Sequence, residues 1–157
     1  MKTSKYYKQM MALTVAVAIC SLFWIYWTLG RTLNTLVWGG VALREGYETV
    51  QIAIAISYSV FPLLLIITQM TFLIKQLKSI KNGIIFAKSN SKYLVIWSIL
   101  WLFYDFCASQ VGNMIAAGIF NQITIHGTII GIPIVVLLFA ILYKLAADVA
   151  EENNLTI

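Results

Sequence analysis

Charge is what this sequence has least of. Only 11% of its 157 residues are Asp, Glu, Lys or Arg, where a soluble domain carries roughly 25%. That is too little to cover a water-facing surface. Soluble, disordered and nucleic-acid-binding chains are therefore excluded as descriptions of the whole. Histidine occurs once, at His126, and cysteine twice, at Cys20 and Cys107. A lone histidine with Glu45 and Glu48 as its nearest acidic company makes no metal-ligand set. The two cysteines fit no zinc or redox spacing and read as buried apolar side chains. There is no phosphate-binding glycine loop, nucleophile elbow or paired metal-ligand helix. The sequence thus predicts no enzyme, no catalytic residue, no metal and no cofactor.

Long apolar runs are what it has instead: 61% of the residues are hydrophobic. A spanning helix needs roughly 20 apolar residues, because each adds about 1.5 Å across about 30 Å of hydrocarbon. Four stretches qualify, at about 10–29, 52–74, 94–117 and 127–145. Helix is the only state that satisfies their backbone in lipid. The expectation is an all-α, integral membrane four-helix bundle, one domain over 1–157. Its parts are outer loops 30–51 and 118–126, an inner loop 75–93 and a tail 146–157. The first run has a basic start but ends in Phe23, Trp24, Tyr26 and Trp27. That differs from the small-residue site of a cleaved signal, so the run is expected to be retained. No inverted repeat of the transporter kind is visible.

Charge placement sets the expected orientation. Nine of the eleven basic residues (Lys2, Lys5, Lys8, Lys75, Lys78, Lys81, Lys88, Lys92 and Lys144) fall on one side of the four runs. Arg31 and Arg44 fall on the other, beside Glu45 and Glu48. The positive-inside rule then predicts both termini and the inner loop in the cytoplasm. Aromatic rings such as Trp24, Trp27, Trp38, Tyr93 and Tyr143 fall near the ends of the runs, the depth such rings prefer. In the outer loop, Gly39-Gly40 breaks any helix, and Leu33, Leu36, Val37 and Trp38 predict a segment lying on the membrane surface.

In the inner loop, Asn82-Gly83 is a helix-stop signal, and Ser89 and Asn90 are suitable N-caps for the third span. Ile80, Ile84, Ile85 and Phe86 form an apolar patch among lysines. One reading is a turn whose lysines anchor to acidic headgroups. The other is a docking surface for a cytoplasmic partner, built from Lys75, Lys78, Lys81, Phe86, Lys88 and Asn90. The tail, with Glu151, Glu152, Asn153 and Leu155, completes that surface. Its acids lie on the same side as the loop lysines, so tail-to-loop pairing is expected, at about 0–1 kcal/mol for each exposed pair. Lys144 and Asp148 are also spaced to pair along one helix face.

Within the spans, Asp105 carries the most information. A charge at mid-span costs about 2.5–3.5 kcal/mol even on the lenient insertion scale. Helical stepping places Ser98, Trp101, Asp105, Ser109, Gly112, Asn113 and Ala116 on one small, polar face, expected to look into the bundle. Asp105, Ser109 and Asn113 form a candidate intramembrane polar site, either a proton or ligand site or a hydrogen-bonded packing lock. Tyr58, Ser59, Thr68 and Gln69 are depth-matched partners on the second span. Pro62 and Pro133 are expected to kink their helices. Gly112 with Ala116, and Gly127 with Gly131, are small-xxx-small pairs that permit close helix approach, within the chain or in a homo-oligomer.

Two segments carry a family resemblance. Leu77, Ser79, Ile80, Gly83, Phe86, Asn90 and Leu94 keep a fixed spacing into the third span, and Glu151-Glu152-Asn153-Asn154-Leu155-Thr156-Ile157 closes the chain. With four spans and this length, they resemble a bacterial family of small membrane proteins described as a domain of unknown function. That family has Asp where Asn154 stands. Its members are often encoded beside a Cro/repressor-type helix-turn-helix regulator. The resemblance implies a membrane protein that senses for, or sequesters, such a regulator, with no direct nucleic-acid binding of its own. Two rivals stand beside it: a small proton-coupled transporter using Asp105, and an immunity or envelope-stress protein meeting its partner through Arg44, Glu45 and Glu48.

Overall fold

The computed structural model describes residues 2–36, 41–120 and 122–155, without the side chains of 2–4, 35–36 and 154–155. Within them the chain is helical, with no strand. Four long helices are α1 (Lys2–Leu36), α2 (Glu48–Lys81), α3 (Ser91–Ala117) and α4 (Gly131–Leu155). All four are long and apolar enough to cross a membrane. α1 extends past the 10–29 run at both ends. Leu33 therefore continues a helix where a surface-lying loop was expected, while Val37, Trp38, Gly39 and Gly40 lie outside the described residues.

Glycine sets the helix ends where the backbone turns left-handed. α2 stops at Lys81, and Gly83 takes φ +84°, a conformation that costs glycine nothing. This is the stop expected from Asn82-Gly83. α3 ends the same way on Gly118, at φ +69°.

The two prolines behave differently. Pro62 is buried inside an unbroken α2. The expected kink at Pro133 is not made. A 3-10 turn over Gly127–Ile130 precedes α4, which begins only at Gly131. Pro133 thus falls in the first turn, where a missing N–H has no partner to lose. Its carbonyl accepts the Ser98 hydroxyl at 2.7 Å, which fastens α3 to α4.

Each helix packs on its neighbour in sequence, α1 on α2, α2 on α3 and α3 on α4. α1 meets α3 only narrowly, and among the described residues α1 and α4 share no contact. The bundle is open along that edge. Its core lies between α2 and α3 and includes Ile54, Tyr58, Leu65, Tyr104, Cys107, Val111 and Met114. Tyr58 stacks on Tyr104 at 5.7 Å. Trp24 brings α1 in, stacked on Trp101 at 5.4 Å and donating its indole N–H to the Tyr104 hydroxyl at 3.2 Å. Higher up, the Thr32 and Ser59 hydroxyls are 2.6 Å apart. In helices this apolar, such pairs add directional contacts between neighbours, which side chains apolar on every face cannot supply.

Candidate functional site

The lysine-bearing end of the bundle is the best-built polar region among the described residues. Gln76, in the last turns of α2, is 5% exposed. Its side-chain carbonyl accepts the Asn90 amide at 3.0 Å and the Tyr143 hydroxyl at 2.5 Å. Its amide nitrogen donates to the backbone carbonyl of Ile85. The Tyr143 oxygen in turn accepts the Ala87 backbone N–H at 3.1 Å. One glutamine thereby joins α2, the connection 82–90, the start of α3 and the far half of α4. Phe72 and Phe86 pack edge-on against the Tyr143 ring, with centroids at 5.7 and 5.5 Å. The result is a connection pinned over the helix ends by satisfied hydrogen bonds, which in low-dielectric surroundings rigidify what they join.

Asn90 was expected to cap α3. It makes no side-chain cap bond, because its amide is committed to Gln76. The entry to α3 is instead the 3-10 turn Lys88–Asn90, closed by the Ser91 hydroxyl on the Lys88 carbonyl at 2.8 Å.

Beside the hub, the connection and α4 enclose an open groove of about 800 Å³. Ile84, Ile85 and Phe86 form one wall, and Ala147, Val149 and Ala150 the other. Lys88, Glu151 and Asn153 edge it. Lys88 is tied across its mouth to Asp148 at 2.7 Å. This is the expected tail-to-loop ion pair, and it takes Asp148 for Lys88 where Lys144 had been the local candidate. Lys78 and Lys81 are exposed on the last turn of α2, and Glu152 is exposed on α4. Lys75 donates to the Tyr93 hydroxyl and lies 4.6 Å from that ring centre. The structure thus brings Phe86, Lys88, Glu151 and Asn153 to one groove, with Asn90 buried behind it and Lys75 on the α2–α3 side. The Leu155 side chain lies outside the described residues.

Asp105 stands elsewhere. The buried residues of α3 are Ser98, Tyr104, Cys107, Gln110, Val111 and Met114; Ser98 is inside as expected, and the others lie beside the face expected to be inside. Asp105 and Ser109 are half-buried, and Asn113 is exposed. Asn113 turns to the Thr124 hydroxyl at 2.6 Å, so the three do not converge on one site. Tyr58, a predicted partner of Asp105, stacks on Tyr104, and Ser59 pairs with Thr32. Asp105 has no hydrogen bond or ion pair among the described residues. The glycine pairs do not bring helices together within the chain. A Cβ on Gly112 would meet only the Arg31 guanidinium, at 3.9 Å, and Gly127 and Gly131 face open space.

Sequence reasoning missed Gln76 and gave Tyr143 only an interfacial role. The available signal was a glutamine among the lysines of α2, facing the same side as Leu73 and Ile80. The opposite end of the bundle holds a cavity of about 430 Å³ lined by Gln110, Asn113, Thr124 and His126 among others. No group of three metal-ligating side chains exists among the described residues. Compared with protein-family models, curated proteins and solved structures, the chain has no match in any of the three.

Proposed function

We propose that this chain is a non-enzymatic multi-pass protein of a bacterial cytoplasmic membrane, both termini inside, that docks a cytoplasmic protein at its lysine end. The observation that carries the reading is the groove between residues 83–88 and 146–153, apolar along both walls and charged at the rim. Apolar walls with a polar rim suit a partner's amphipathic helix. The Lys88–Asp148 pair across the mouth joins an exposed lysine to a half-buried aspartate, a single rim contact that a partner can displace. The resemblance of the connection and closing segment to the membrane family described above supports a helix-turn-helix regulator as that partner, sensed for or sequestered.

The test is recovery of a co-expressed helix-turn-helix regulator, encoded beside the gene, with the membrane fraction. Placing a charge in the groove with Val149→Glu should lower recovery severalfold, as should truncation after Ala147. Equal recovery from wild type and both variants would overturn the reading.

A second reading has one observation in its favour: Asp105 is an acid within a candidate span with no partner among the described residues. Unpartnered ionisable groups at that depth mark proton or ion paths. On this reading Asp105→Asn abolishes a proton-coupled flux in proteoliposomes and leaves regulator recovery unchanged, which separates the two proposals.

A further inference from the structure

Two lysines from different helices converge on one tyrosine near the groove, and no acid accompanies them. Lys75, in α2, donates to the Tyr93 hydroxyl. Its ammonium lies 4.6 Å from the Tyr93 ring centre, and that of Lys92 lies 5.5 Å from it. Lys88–Asp148 is the sole ion pair among the described residues, so neither lysine meets a carboxylate there. Two like charges held about one ring repel each other and gain most from an anion that both can reach. Lys75 uses one of its three donors on Tyr93, which leaves the others free for an acceptor.

Directly below this pair, between α2 and α3, is a crevice of about 100 Å³. Phe72, Leu73, Leu94 and Trp97 give it a mostly apolar lining, with Thr68 and Gln69 also on its wall and Tyr93 at its lysine end. Trp97 is four residues from Tyr93, which is about 6 Å along a helix. A glycerophospholipid has that layout: an anionic phosphodiester at the surface and a hydrocarbon chain below it.

We propose that Lys75, Lys92 and Tyr93 hold the phosphodiester of one anionic glycerophospholipid, with the upper methylenes of an acyl chain against the apolar side of the α2–α3 crevice. The site is independent of the protein-docking groove, which opens between the connection and α4.

The experiment reconstitutes the full chain in nanodiscs of phosphatidylcholine alone, or with phosphatidylglycerol titrated in. Native mass spectrometry then counts lipids retained per chain. Wild type should retain one phosphatidylglycerol in preference to phosphatidylcholine. Lys75→Gln with Lys92→Gln should weaken that retention about thirtyfold. Lys78→Gln with Lys81→Gln removes the same charge from the same end and should leave retention within twofold. Thermal midpoints in phosphatidylcholine alone confirm that each variant is folded. Equal losses from the two lysine pairs would reduce the effect to general surface charge and overturn the site. So would retention of phosphatidylcholine as strong as that of phosphatidylglycerol.

Discussion

The two ends of the bundle use buried glutamines in different ways. At the lysine end, Gln76 reaches across the chain to Asn90 and Tyr143 as well as to the Ile85 carbonyl. At the opposite end, Gln51 and Gln110 each pair with a single loop. Gln51 donates to the Ala42 carbonyl at 3.1 Å and accepts the Arg44 N–H at 3.3 Å. Gln110 donates to the Thr124 carbonyl and accepts the Thr124 N–H at 3.1 Å. Both amides there imitate a strand partner for irregular backbone. The loops themselves meet through Ala42, which donates to the Gly118 carbonyl at 2.8 Å. One end clamps helices to each other, and the other seals loops onto the helices that carry them.

The largest effect should come from Gln76→Leu. It leaves the Ile85 carbonyl, the Asn90 amide and the Tyr143 hydroxyl short of a partner, at about 1–3 kcal/mol for each group that stays buried and unsatisfied. The thermal midpoint should fall by about 2–4 °C per kcal/mol in a chain of this size. Proteolysis should newly appear between residues 82 and 90. A midpoint within a degree of wild type would show that the hub is not a clamp.

Gln51→Leu and Gln110→Leu should act locally and cost about 1–3 kcal/mol each. Hydrogen exchange should quicken over 42–47 in the first and over 118–126 in the second, with the 82–90 amides unchanged. Spread of the effect to the lysine end would erase the contrast between the ends.

Tyr143→Phe keeps the ring against Phe72 and Phe86 and removes only the hydroxyl. About 1 kcal/mol should be lost, visible as faster exchange of the Ala87 amide.

The smallest effect belongs to Lys88→Ala or Asp148→Asn, a slight fall in the thermal midpoint that shrinks in high salt. Charge reversal at both positions together should restore what either reversal alone removes. A salt-insensitive loss would mean that Lys88 acts through packing of its stem.

Helices and their stops were legible in the sequence because they depend on local chemistry. Four apolar runs give four helices, and Asn82-Gly83 ends α2. The inward face of α3 was not legible. In lipid both faces of a span are apolar, so hydrophobic pattern carries no label for the side that packs. Polarity pointed to Asp105, while the position of α2 put Tyr104 and Cys107 inside. Asn90 misled for a related reason. Its cap propensity is a local fact, and its bond to Gln76 spans fourteen residues. Pro133 was misplaced because the 3-10 turn before it is as apolar as the helix it precedes.

Neighbour-to-neighbour packing has a consequence for how the chain is made. Because α1 rests on α2, α2 on α3 and α3 on α4, each newly synthesised helix after the first finds a main partner already made. Assembly can keep pace with the ribosome, with few loops to close over long distances. The last knot is Tyr143 on Gln76, sixty-seven residues apart, which can be tied only when the final helix has arrived. Until then the lysine end has no finished surface to offer.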